Sequence, residues 1–441
     1  MRVTADILLP TFHPGQVKIW NDRGRFNVVR CGRRFGKTKM MVTLSGDPIV
    51  KGRKSAIFTP ESSQWREPFD DLKEALQPII RTSDANKGRI RASTRGPLKD
   101  GGKLDFWHTD DNPLAGRGRE YHRVCGDEIA FAKNSQMADL WKKAIRPTLA
   151  TTRGEAWFFS TPNGDDPANF FWQLCNNPEL GFTEHYAPSS ASPFMPPDEL
   201  ELIRASEHPL VFQQEYEAKF VSWGEEAFFK PDYLLVDGQP VGWPTKCDAV
   251  VVLMDCAAKS GSSNDATGVL YCALKRFPQK GEFKLTLLDY ELHSIDAAML
   301  ESLAPKVLER AEELSTACGA RLGVLGCWVE DAAGGIVLNQ QAKASAWGRK
   351  VHAIDSDLMM KGKDERAMLA GGPAYRGECK ISRHALDKIF EWKKRRVNHL
   401  WHQITSFRIG DKDAAKRADD LLDCFCYAIV MFLTNRKIPG L

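Results

Sequence analysis

A single run, Arg30-Cys31-Gly32-Arg33-Arg34-Phe35-Gly36-Lys37-Thr38, constrains this chain more than any other stretch. It follows Phe26-Asn27-Val28-Val29, which reads as an extended strand, and precedes Lys39-Met40-Met41-Val42-Thr43-Leu44, which reads as the first turns of a helix. A tight loop between strand and helix turns its backbone N–H groups, and those of the helix N-terminus, toward one anion. In that setting Lys37 of the Gly36-Lys37-Thr38 triplet reaches the β- and γ-phosphates of a nucleotide, and the Thr38 hydroxyl sits on Mg2+. The first glycine of the usual pattern is replaced by Cys31, with Gly32 one position later. Gly-Lys-Thr also arises by chance, so its weight depends on what lies downstream.

The 441 residues suit two domains, each able to bury a core. A net charge of +4 neither demands nor excludes nucleic acid, so the distribution of charge has to decide. Several of the 11 cysteines (Cys125, Cys256, Cys327, Cys424, Cys426) lie in apolar runs and read as reduced core residues, and no spacing resembles a zinc site. No signal-peptide pattern or bilayer-length apolar run is present, and a soluble intracellular protein is expected.

Phe12-His13-Pro14-Gly15-Gln16 is a turn followed by a helix through Trp20. Gln16, shortly before the loop, either reads an adenine edge with its amide or caps a surface helix. Ser55-Ala56-Ile57-Phe58-Thr59-Pro60 reads as a second strand. The segment from Arg81 to Gly102, with Arg89, Arg91, Arg95 and Lys99, followed by Lys103, reads as a loop or hairpin that faces a polyanion or only solvent. Tyr121-His122-Arg123-Val124-Cys125-Gly126-Asp127-Glu128 is a strand ending in two carboxylates. Beside a phosphate loop, Asp127 is placed to hold Mg2+ through water and Glu128 to polarise the attacking water. Ala115-Gly116-Arg117-Gly118-Arg119 is a loop with two guanidinium groups, either one a candidate to reach the γ-phosphate in a neighbouring subunit. Trp157-Phe158-Phe159-Ser160-Thr161-Pro162 is a third strand whose hydroxyls at Ser160 and Thr161 end next to the phosphate site. Phosphate loop, acidic strand end and hydroxyl-tipped strand, in that order, describe an α/β nucleotide hydrolase core.

Regular periodicity fades over residues 222–246, which read as a linker between a first domain at 1–221 and a second at 247–441. The second opens with Ala249-Val250-Val251-Val252-Leu253-Met254-Asp255, a buried strand ending in a carboxylate. Two further strands, at 265–274 and 284–290, complete an antiparallel meander. A helix from about Asp296 to Cys318 follows, then an apolar run, 323–329, ending in Glu330-Asp331. The last helix carries Asp419, Asp420 and Asp423 into an apolar stretch. Acids at the ends of two strands and on one helix face suit a pair of Mg2+ or Mn2+ ions that activate water and stabilise a leaving oxygen of a phosphodiester. Lys361, Lys363 and Arg366, and the run Trp392-Lys393-Lys394-Arg395-Arg396 leading to Trp401, suit contact with a phosphate backbone or form solvated faces.

Taken together, Arg33 to Thr38, Asp127-Glu128, Ser160-Thr161-Pro162, Asp255, Glu330-Asp331 with Gly334-Gly335, and Asp419-Asp420 with Asp423 resemble the large terminase subunit of tailed bacteriophages. The resemblance implies an N-terminal P-loop ATPase of additional-strand, RecA-like type and a C-terminal nuclease of RNase H-like fold. It implies ATP-driven movement of double-stranded DNA into a procapsid and cutting of the concatemer. The implied partners are duplex DNA, the portal protein, the small terminase subunit and other copies of the chain in a ring on the portal. The implied location is the host cytoplasm, with transient docking on the procapsid. By the same likeness Arg33 contacts the nucleotide phosphates, Gln16 reads adenine, Glu128 is the hydrolytic glutamate, and Ser160-Thr161-Pro162 couples hydrolysis to movement. The second nuclease acid is Glu330 or Asp331, and the third is Asp419 or Asp420.

Two other readings compete with this one. A helicase–nuclease of DNA repair would need a second motor domain, and no second set of motor motifs follows Pro162. A non-catalytic docking protein with decayed sites is disfavoured because Lys37, Glu128 and Asp255 keep the side chains that chemistry requires.

Overall fold

The computed structural model describes residues 7–92, 101–110, 112–223, 226–256, 266–295, 299–330, 334–410 and 419–434. The chain divides into two compact units, Met1–Arg204 with Pro209–Ser222, and Ala205–His208 with Trp223–Leu441. Of the expected linker at 222–246, Ser222 falls in the first unit and the described residues from Trp223 onward in the second. Phe228 N donates to Phe407 O at 2.9 Å, Val241 bridges to Ser382, and Trp243 Nε1 donates to Leu288 O at 3.2 Å. The broken periodicity that suggested a linker belongs to irregular chain laid over a sheet.

The first unit is built on one sheet of eight strands: β1 Phe26–Cys31, β2 Lys54–Thr59, β3 Ile80–Asp84, β4 Arg89–Ala92, β5 Lys103–His108, β6 Arg123–Gly126, β7 Glu155–Ser160 and β8 Thr183–Ala187. Their spatial order is β3-β4-β5-β2-β6-β7-β1-β8. All neighbours from β5 to β8 run parallel, and β3–β4–β5 are antiparallel. Parallel strands covered on both faces must be apolar throughout. Val28, Val29, Phe158 and Phe159 are accordingly fully buried, facing alternate sides. β7 lies between the strand that leads into the phosphate loop and the strand that ends at Asp127, so the additional-strand expectation holds. The basic segment after Ile80 is in part the β3–β4 hairpin; Arg95 and Lys99 lie outside the described residues. Arg91 is engaged within the sheet, its guanidinium bound by the buried Asp105 carboxylate at 2.6 Å.

The second unit holds a six-stranded mixed sheet in the order β13-β12-β9-β10-β11-β14. Its strands are β9 Ala249–Asp255, β10 Thr267–Leu274, β11 Leu285–His293, β12 Val324–Val329, β13 Val351–Ala353 and β14 Cys379–Ile381. β9, β10 and β11 form the expected antiparallel meander, and β12 runs parallel to β9. One face packs on the helix Leu300–Ala317 through Val252, Met254, Tyr271, Val307 and Leu314. The helix Asp420–Ile429, buried along its whole length, crosses β9 and β10. The run at 392–396 is a third structure, a hairpin of β15 Phe390–Trp392 and β16 Arg395–Val397, turned by Lys393 and Lys394 at φ 47° and 66°. All 11 cysteines are free thiols and ten are buried, as core residues should be.

Candidate active sites

In the first unit, α1 spans Pro14–Asn21 and α2 spans Lys37–Val50. The loop after β1 ends at Gly36, whose φ of 94° is the left-handed conformation that glycine adopts without a steric penalty. The first amides of α2 have no partner within the helix and are free to meet an anion. A cleft of about 670 Å³ opens there, lined by Arg33, Arg34, Lys37 and Thr38 of the loop and α2, Glu128 after β6, and Thr161 after β7. Three parallel strand ends thus bring the loop, Glu128 and Thr161 to one cleft.

Lys37 Nζ lies 3.4 Å from Glu128 Oε1, and Ser160 Oγ donates to Glu128 Oε2 at 3.2 Å. Burial disfavours the Lys37 charge, but Glu128 and, more weakly, Asp127 outweigh it and the pKa is raised. Burial, and then the adjacent Glu128 carboxylate, push Asp127 up to about 7. A divalent ion between Thr38 and Asp127 would reverse that shift, and their hard oxygen donors suit Mg2+. Glu128 itself sits at φ 51°, a conformation that disfavours β-carbon-bearing residues and here re-aims its carboxylate at the loop.

Gln16 of α1 and Arg33 of the loop are each engaged by a partner within the unit. Gln16 is buried, and its Nε2 donates to Gly36 O at 2.9 Å while its Oε1 accepts from His13 N at 3.2 Å. Its amide is spent on the loop and on the cap of α1 rather than presented to an adenine edge. Arg33 Nε is paired with Glu215 Oε2 at 2.7 Å, which holds the guanidinium at the side of the cleft. Arg117 and Arg119 lie in an exposed turn and do not line the cleft, as a residue meant for a neighbouring subunit need not. Sequence reasoning missed Gln64, Glu67, Phe131 and Glu215, which also line it; none belongs to a motif.

In the second unit Asp255 ends β9, and Glu330 follows β12, whose Val329 pairs with Met254. The third arm arrives over Gly268. Gly268 is the register partner of Asp255, and a β-carbon on it would come within 3.0 Å of Asp420. Gly268 gives the last helix room for this close approach to β10, and that glycine was the overlooked signal in the sequence. Burial first, then Asp423, Asp420 and Glu330, raise the Asp255 carboxyl well above the usual range. Asp420 Oδ1 accepts from Ala266 N at 3.2 Å. Among the described residues no three His, Cys, Asp or Glu side chains already stand as a metal cage; Asp331 lies outside those residues. The donor set is nonetheless all carboxylate oxygen under mutual repulsion, which fits Mg2+ or Mn2+.

Cations from the helix Lys363–Tyr375 meet this cluster. Lys363 pairs with Asp419 and lies 3.4 Å from Asp423; Arg366 Nη2 binds Asp423 Oδ1 at 2.7 Å and stacks over Tyr427 at 4.9 Å. Tyr427 Oη in turn donates to Glu330 Oε1 at 2.9 Å. Lys363 and Arg366 are therefore tied to acids within the unit, and Lys361 is paired with Glu365, so the first expected backbone-contacting set is already engaged. Asp419 and Asp423 meet these cations, while Asp255, Glu330 and Asp420 stand at the two strand ends and the start of the last helix.

The two units define a class: a parallel-sheet phosphate-loop core with an inserted strand, followed by a mixed-sheet unit with acids at its strand ends. No family model and no curated protein matches the chain. Among solved structures, the large terminase of the thermophilic bacteriophage D6E in complex with ADP matches over 96% of this chain and 100% of that chain, with a TM-score of 0.65 and 15% identity. The same protein in complex with ATP-gamma-S gives 0.63 over 95% and 98%, also at 15% identity. A further crystal form gives 0.62 at 13% identity, over 95% and 98%. The chain has the large-terminase fold over nearly its whole length.

Proposed function

We propose that this chain is a DNA-packaging motor subunit, an ATPase in its first unit and a metal-dependent DNA endonuclease in its second. The observation that carries the reading is the contact line Lys37–Glu128–Ser160 at three parallel strand ends. Glu128 is shared between the loop lysine and the hydroxyl of β7. When phosphates enter the cleft, Lys37 turns to them and Glu128 keeps only Ser160, free to orient a water. Mg2+ held by Thr38 and Asp127 would offset charge on the β- and γ-oxygens. Ser160, at the end of β7, links Glu128 to that strand. Arg117 or Arg119 is the proposed contribution from a neighbouring copy, which requires the ring on a portal. In the second unit Asp255, Glu330 and Asp420 would hold one or two divalent ions, which supply an activated water and charge for the leaving oxygen. The D6E structures with ADP and ATP-gamma-S support nucleotide binding at the first site. Duplex DNA, the portal protein and the small terminase subunit are the proposed partners.

The test is a crossed pair of variants in the full chain. Lys37→Ala should abolish ATP turnover and spare metal-dependent plasmid cutting; Asp255→Ala should do the reverse. Retained turnover in Lys37→Ala would refute the site, and ATP-driven triplex displacement without strand separation would distinguish translocation from a repair helicase.

A further inference from the structure

A phosphate loop presents its amides to an anion only when its carbonyls point away. Four successive carbonyls of this loop are each held by a side chain from outside it. Ser189 Oγ donates to Arg33 O at 2.6 Å, and Ser192 Oγ donates to Arg34 O at 3.0 Å. His13 Nε2 bonds Phe35 O at 2.9 Å, and Gln16 Nε2 donates to Gly36 O at 2.9 Å. His13 Nδ1 accepts from Gly15 N at 3.2 Å, so the Phe35 contact requires the proton on Nε2. All four side chains are buried. They come from two distant pieces of chain, the start of α1 and the turn Ser189–Ala191 with Ser192 just after β8. The loop's glycines are fitted to the same grip. A β-carbon at Gly32 would meet Ser189 Oγ at 2.5 Å, and one at Gly36 would meet Gln16 Nε2 at 2.8 Å.

We infer that His13, Gln16, Ser189 and Ser192 are a positioning set that fixes the phosphate loop in its anion-binding form before any nucleotide arrives. They act through the four carbonyls and touch no phosphate themselves. The inference rests on the reading of the cleft as a nucleotide site. Such a set lowers the ordering cost of binding, so its loss shows in affinity and KM rather than in kcat.

The experiment compares the full chain with Ser192→Ala, with Ser189→Ala/Ser192→Ala and with Ser192→Thr, which restores a hydroxyl. Hydrogen exchange of the 31–38 backbone without nucleotide reads the grip itself. Binding of a fluorescent ATP analogue and the kcat and KM of hydrolysis read its use. One hydrogen bond at its usual net strength is worth about fivefold in affinity, so the double variant should bind at least tenfold more weakly. Its loop should exchange faster, its KM should rise with kcat within about twofold, and Ser192→Thr should recover much of the single-variant loss. Unchanged loop exchange in the double variant overturns the proposal. So does a loosened loop with unchanged affinity, which would make the contacts merely structural. A wild type that binds no nucleotide, yet shows the exchange difference, would refute the nucleotide reading and leave the grip standing.

Discussion

Replacing Arg366 by Met would expose how the acidic cluster of the second unit is held together. Arg366 and Asp423 are both buried, and their 2.7 Å contact is supported by Arg366 Nη1 donating to Lys361 O at 2.8 Å. Methionine fills similar volume but leaves a buried carboxylate beside Asp255, whose own charge Asp423 already disfavours. Breaking one side of a buried pair costs about 3–5 kcal/mol. Lys363, 3.4 Å from Asp423, remains as a partial partner and sets the expectation at the lower end, about 3 kcal/mol. For a unit of this size that is a fall of about 6–12 °C in the melting transition. Calorimetry of the full chain should show one transition moving down and the other unmoved. Asp423→Leu added to Arg366→Met should recover most of the loss, since a pair replaced by apolar groups is often neutral. Added Mn2+ should narrow the deficit of the single variant by supplying the missing positive charge. A shift under about 2 °C, or a double variant that loses the sum of both singles, would refute the reasoning.

Further outcomes follow from the same contacts. Glu128→Gln keeps the shape and the Ser160 contact but not the charge; nucleotide binding should persist while turnover falls by at least a hundredfold, and turnover near wild type would remove Glu128 from the chemistry. Gly36→Ala places a β-carbon at φ 94° against Gln16 Nε2, at a cost of about 1–2 kcal/mol for the backbone alone, so nucleotide affinity should drop at least tenfold in a titration. Burial pushes His208 down to about 4 from an ordinary value near 6.5, so between those pH values the unfolded chain holds a proton that the folded one does not. Stability of the second unit should therefore fall as pH drops through that window, by up to about 3 kcal/mol, with the slope flattened in His208→Gln. An unchanged slope in that variant would assign the pH dependence elsewhere.

Three strands of the first sheet were legible together with their sites because parallel strands must be apolar runs, and each of these three ends in residues that chemistry needs. Phe26 to Thr38, Tyr121 to Glu128 and Trp157 to Thr161 could be read one after another without knowing how they pair. In the same way Ala249 to Asp255 and Val324 to Glu330 announced two acidic strand ends. What the sequence could not show is which polar atoms are already engaged. Gln16, Arg33, Lys363 and Arg366 all looked available, yet the fold brings each against a partner remote in the chain: Gly36, Glu215, Asp419 and Asp423. Local pattern records which side chains are present and which face they share, because it follows the backbone period. Pairing over long separations depends on where the chain returns. So the sequence by itself determined the chemistry on offer at each strand end, and only the tertiary structure decided which donors and acceptors remain free to use it.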